Sequence, residues 1–178
     1  MISDHKYAFI HVEKTAGWSI RRAINRSKQI KYVSHGQQIT DQLANQYTTV
    51  TVSRDPVERF TSWFRWKYRW HDTSNMHQLL QDHLEHELNC FLTYSYYFEH
   101  HQPDIFLSFN DIQNEWTRFL TKHNITDVEK ILPHEHCLTN VDIRLTKKQH
   151  GLVRTRLFQD INIIYGNNNS STIYESHK

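Results

Sequence analysis

The chain has 178 residues, 38% of them hydrophobic, which is long enough for one domain with a sizeable core. Its net charge of +2 gives no bulk-charge argument for non-specific nucleic-acid binding. No stretch approaches the roughly 20 apolar residues of a membrane span, and Cys90 and Cys137 are too few for a disulfide framework and read as free thiols.

Residues 1–6 run directly into an apolar segment, which leaves no room for a signal peptide and predicts a soluble, cytoplasmic chain. The segment 7–12 reads as a strand and 19–29 as a helix, joined by Lys14-Thr-Ala-Gly-Trp-Ser19. Small residues there let backbone N–H groups face one point, and the helix start adds unpaired donors and a positive dipole end. Lys14 brings a mobile charge, and Thr15 and Ser19 bring hydroxyls, so the loop is expected to hold a phosphate or sulfate. It is not a Walker A loop, because Lys14 precedes the loop instead of following it.

A short strand at 30–33 and a short helix at 40–46 come next, then a strand at 48–53. That strand flows into Arg54-Asp-Pro-Val-Glu-Arg-Phe-Thr-Ser62, where Asp55 suits an N-cap and Pro56 an N1 position. The helix is expected over 56–70, burying Val57, Phe60 and Phe64. Trp63, Trp66, Tyr68 and Trp70 also lie on it, and the indoles that cannot share the buried face are candidates to line a sugar cleft. Arg54 at the strand end and Ser62 on the helix are placed to grip one phosphate. Two strand–loop–helix units with anion-binding groups at their strand ends suit a ligand with two separated anionic groups, at the carboxyl edge of a parallel sheet. Further helices are expected at 76–88, 112–123 and 147–165, and a strand at 104–109. The alternation predicts an α/β, three-layer, P-loop-like domain with a central parallel sheet over residues 1–166 and a flexible tail over 167–178. Among 14 histidines, His83/His86 and His134/His136 with Cys137 have ligand-like spacing. Neither completes a zinc pattern, so solvated helix face and loop are expected and no metal site is assigned.

Residues 10–19, Ile-His-Val-Glu-Lys-Thr-Ala-Gly-Trp-Ser, resemble the 5′-phosphosulfate loop of the Golgi-type carbohydrate sulfotransferases, written "HVPKTAGTS". Residues 53–62 resemble that family's 3′-phosphate motif, "RDPxxRxxS". The segments 109–120 and 157–165 are more distantly similar to two of its later helices. The resemblance implies the co-substrate 3′-phosphoadenosine 5′-phosphosulfate, no metal, and sulfuryl transfer to a hydroxyl acceptor, expected to be a carbohydrate. It implies a donor-contacting Lys14, a loop of Thr15, Ala16, Gly17, Trp18 and Ser19 around the phosphosulfate, and Arg54 with Ser62 at the 3′-phosphate. Glu13 and Trp18 depart from the pattern, where the family has proline and threonine. Ser34-His35-Gly36 resembles the "GH" region of the uronyl 2-O-sulfotransferases. It makes His35 the candidate base, since an imidazole with its ordinary pKa of about 6.5 suits that task. His11 is disfavoured as lying within the first strand, and Glu13 is a lesser alternative. A kinase or phosphotransferase using the same loop, and a non-catalytic nucleotide- or glycan-binding module, are the competing classes.

Overall fold

The computed structural model describes residues 5–71, 73–86, 91–133 and 143–166. Cys90, His134, His136, Cys137 and the tail 167–178 lie outside them, as does the side chain of His86. The chain divides into two compact units, Met1–Arg54 with Tyr96–Glu135 and Asp55–Ser95 with His136–Lys178.

The first unit holds four strands, β1 (Tyr7–Ile10), β2 (Ile30–Val33), β3 (Thr48–Ser53) and β4 (Ile105–Ser108), in a central sheet of order β2-β1-β3-β4. All three pairings are parallel, with Phe9 opposite Tyr32 and Val50, and Val50 opposite Ile105. The sheet is flanked by helices, the α/β class expected. Helix α1 (Gly17–Ala23) and α6 (Ile112–Lys122) pack on one face, where Ile20, Ala23, Trp116, Phe119 and Leu120 cover Phe9, Val50, Val52 and Leu107. Full burial of Trp116 removes a large apolar surface, worth up to about 3 kcal/mol, and its indole N–H is satisfied by Glu129 O at 2.9 Å. Ala8, Ile10, Thr49 and Thr51 on the opposite face are equally buried, which is why β1 and β3 read as nearly continuous runs of apolar and β-branched residues. Helix α2 (Asp41–Gln46) is capped by the Thr40 hydroxyl.

Several boundaries differ from the sequence expectation: the helix expected over 56–70 ends at Lys67 with Tyr68 as its cap, so Trp70 lies beyond it, and two others have a visible cause. β1 stops at Ile10, because Val12 N–H donates back to Ile10 O at 3.1 Å and turns the chain. α1 ends at Ala23, six residues early: Ser27 Oγ accepts from Gln29 N and Ile30 N, and Asp127 takes Ser27 Oγ–H and Lys28 N–H, fixing a turn there.

The second unit contains α3 (Pro56–Lys67), α4 (Met76–His86), α7 (Lys147–Arg156) and α8 (Phe158–Tyr165); the one-turn α5 (Tyr94–Tyr97) runs across the division between units. α3 starts as read, with Pro56 in its first turn and the Asp55 carboxylate accepting from Val57 N and Glu58 N. Phe60, Trp63 and Phe64 of α3 share a core with Leu80 and Leu84 of α4 and Val153 of α7. His83 belongs to that core at 2% exposure, 5.3 Å from the Trp63 ring, so the solvated face expected for it is corrected to an aromatic interior. The single helix expected over 147–165 is two, broken at Leu157 (φ −101°, ψ 24°), whose side chain is buried in the same core. No helix among the described residues is long and apolar enough to cross a membrane.

Candidate functional site at the carboxyl edge of the sheet

The strand order places β2 beside β1 on one side and β3 on the other, so the connections leaving β1 and β3 depart in opposite directions. In a parallel sheet that reversal opens a crevice outside the carboxyl ends of the two strands. The loop after β1 carries Lys14–Ser19, and β3 ends next to Arg54. The Lys14–Ser19 loop and Arg54 therefore meet at the position where open α/β sheets hold ligands.

Backbone torsions explain how the loop is shaped. Lys14 (φ 63°) and Ala16 (φ 62°) both sit in the left-handed region. Such non-glycine residues cost on the order of 1–3 kcal/mol each and cluster where a loop has a task. Alternating the hand of successive residues is also how a turn lines a concavity with N–H groups that accepts an anion. Between them Thr15 is fully buried and its hydroxyl donates to Val12 O at 2.6 Å, so that proton serves the loop itself. Ala16 caps α1 without a side-chain bond, and Ile20 N–H closes the first helical turn on Ala16 O. With seven residues, α1 is too short for its dipole to carry the site alone, and the loop is the substantive feature. Ser19 is half-buried on α1.

Arg54 ties the two strand ends together. Its Nη1 donates to Lys14 O at 3.3 Å, and its guanidinium lies 4.2 Å from the centre of the Phe109 ring. Trp18 is 51% exposed, with the Arg21 guanidinium 4.8 Å over it, so it is not a packing residue. Ser62 stands half-buried on α3 and belongs to the second unit, whereas the loop and Arg54 belong to the first.

His35 is exposed in the turn that follows β2, and the turn is pinned rather than loose. Gly36 takes φ 83°, a value only glycine adopts freely. Its N–H donates to Tyr97 Oη at 3.4 Å, and its carbonyl accepts from Tyr96 Oη at 3.1 Å. Ile39 N–H to Tyr97 O at 3.0 Å and Gln38 Nε2 to Tyr96 O at 3.0 Å continue the clamp.

His11 was set aside in the sequence as a strand residue, but it stands one residue past β1, buried at 2% exposure. Its Nδ1 shares a hydrogen bond with the Tyr32 hydroxyl, and its ring lies 5.5 Å from His35 and 5.9 Å from Trp18. Burial first, then the neighbouring His35 and Arg21, push its pKa down to about 4. Burial raises that of Tyr32. Between pH 6.5 and 4 the unfolded chain therefore takes up a proton that folded His11 resists, so acid removes stability, by on the order of 3 kcal/mol once pH 4 is reached. Denaturant unfolding at pH 7 and at about pH 4.5 should show His11→Asn losing less stability than the wild type over that interval. Equal losses would mean that His11 does not resist protonation.

No protein-family model, no curated protein and no solved structure matches this chain.

Proposed function

We propose that the chain is a sulfotransferase that moves the sulfuryl group of 3′-phosphoadenosine 5′-phosphosulfate to a hydroxyl, with a carbohydrate as acceptor. The observation that carries the reading is the Arg54–Lys14 contact at the crevice between β1 and β3. It joins two motifs, 40 residues apart in sequence, that the proposal needs at the two ends of one bis-anionic nucleotide. In this reading the 14–19 loop cradles the 5′-phosphosulfate and Lys14 offsets charge on the departing phosphate. Arg54 marks the 3′-phosphate side, and Ser62 is assigned there from the motif alone. The sulfur passes in line from the phosphate oxygen to the acceptor oxygen while His35 takes the hydroxyl proton, so the work is positioning, charge neutralisation and one proton transfer.

Calorimetry with adenosine 3′,5′-bisphosphate against ATP plus Mg²⁺ tests the donor, and labelled-sulfate transfer over a polysaccharide panel tests the reaction. Tight bisphosphate binding without ATP binding is expected; the reverse preference would favour the phosphotransferase reading, and binding without any transfer the non-catalytic module.

Two variants probe the roles. A charge-assisted bond to phosphate is worth roughly 1.5–3 kcal/mol. Arg54→Ala should therefore weaken adenosine 3′,5′-bisphosphate more than tenfold and adenosine 5′-phosphate much less. Equal weakening of both would make Arg54 a clamp on the Lys14 loop and nothing more. His35→Ala should abolish turnover while donor affinity, followed by calorimetry, stays near wild type; a variant that keeps most of its activity moves the base elsewhere.

A further inference from the structure

We propose that His11 is a positioning residue, the fixed wall against which the Lys14–Ser19 loop and the His35 turn are set in register with one another. The inference rests on the roles just given to the loop and to His35.

The backbone of His11 is anchored before its side chain does anything. Its N–H still donates to Val33 O at 3.1 Å, extending the β1–β2 ladder by one bond, and the chain turns only at Val12. The ring is then held from the β2 side by the Tyr32 hydroxyl. Tyr32 is itself fixed in the middle of β2, in register with Phe9.

From that position the ring meets the loop and the turn at once. A Cβ at Gly17 would lie 1.8 Å from His11 Cδ2 and 2.2 Å from its Nε2. Real atoms do not approach so closely, so the imidazole occupies the space that any side chain at position 17 would fill. This, and not a positive φ, is why glycine stands there. On other sides the ring makes edge contacts with His35 and Trp18. One buried side chain thus touches the first residue of α1, the exposed indole beside it, and the candidate base.

Its neighbours also hold it in one charge state. Burial acts first, and then His35 and Arg21 oppose a positive charge on the ring, while Tyr32, the other titratable neighbour, bonds its Nδ1. A neutral ring keeps the hydrogen bond to Tyr32 and the packing against Gly17 unchanged while His35 gains and loses a proton in the proposed cycle.

The test uses the whole 178-residue chain and two independent readouts. In the first, the His35 imidazole resonances are followed by NMR in the wild type, His11→Asn and Tyr32→Phe. Asn keeps a polar atom near the place of Nδ1 but removes the ring edge, and Phe removes only the hydroxyl. His35 resonances are expected to shift in both variants, and more in His11→Asn. In the second, Gly17→Ala is introduced into the wild type and into His11→Ala, and adenosine 3′,5′-bisphosphate binding is measured. Contacting residues couple, so the added methyl should weaken binding by about tenfold or more in the wild type and by under about threefold where the ring is gone. His35 resonances indifferent to His11→Asn, or equal losses in the two backgrounds, overturn the inference. A wild type without affinity for the bisphosphate overturns the proposed function instead, and the NMR comparison then decides on His11 alone. It also decides if Gly17→Ala does not fold.

Discussion

Lys14→Ala should cut sulfuryl transfer by about a hundredfold or more, the scale of losing a preorganised charged contact made in the transition state. The structure makes this a clean substitution. The backbone of Lys14 already serves Arg54 through its carbonyl, and it sits at φ 63°, a torsion that alanine adopts two residues later at Ala16. Exchanging lysine for alanine leaves loop geometry in place and removes the ammonium group. Affinity for adenosine 3′,5′-bisphosphate, which lacks the group being transferred, should fall far less than turnover. Steady-state rates beside calorimetric affinities separate the two. A variant with unchanged turnover would take Lys14 out of the mechanism, and one whose affinity falls as far as its rate would make Lys14 a ground-state anchor.

Asp160→Ala should destabilise the second unit by about 3–5 kcal/mol, the range for stripping one partner from a buried ion pair. Arg59 is fully buried and Asp160 is 1% exposed, with 3.4 Å between Arg59 Nη2 and Asp160 Oδ2. The carboxylate also accepts from Tyr94 N at 2.8 Å and Ser95 N at 3.0 Å. Arg59 in turn donates to Leu92 O at 2.8 Å and lies 4.2 Å over Phe91 and 4.3 Å over Tyr94. Alanine at 160 removes one carboxylate partner from the buried Arg59 and one acceptor from the amides of Tyr94 and Ser95, so the loss exceeds what a single hydrogen bond is worth. Urea unfolding of wild type and variant gives the difference. A change under about 1 kcal/mol would mean the pair is not buried in solution.

That same arginine marks the limit of sequence reading. In Arg54-Asp-Pro-Val-Glu-Arg59 the cap and the first turn of α3 were legible, because Asp55 accepts from amides two and three residues away and Pro56 fixes its own φ in the first turn. The partner of Arg59 is 101 residues downstream, and no local pattern names it. The same holds for α1: its start lies within two residues of the expected one, but Asp127, about 100 residues on, decides where it stops. β3 was read to the residue because its apolar and β-branched run is set by burial on both faces, and β2 was matched although only Ile30 and Val33 at its ends are buried. The end of β1, and with it the place of His11, was misread for a related reason. Alternation runs on through Val12, and the hydrogen bond that ends β1 after Ile10 belongs to the backbone, which composition does not record. Gly17 was the one available signal, and its meaning depended on a ring six residues earlier. Tyr96 and Tyr97, which pin the His35 turn, lie some 60 residues from it in an aromatic-rich stretch with no motif.

The first unit is built from two separated stretches of chain, and this bears on its birth at the ribosome. β3 finds its outer neighbour only when residues 105–108 arrive, and the bonds from Thr49 N and Oγ1 to Asp104 that lock the pairing span 55 positions. Closing a segment of that length costs about 3.5 kcal/mol of chain entropy before any of those bonds forms. Throughout the synthesis of residues 55–104, a nascent chain can hold β2, β1 and β3 together but leaves the outer rim of β3 open. Chains stalled or cleaved in that window expose an unpaired strand of threonines and valines, the surface on which strands of other copies nucleate.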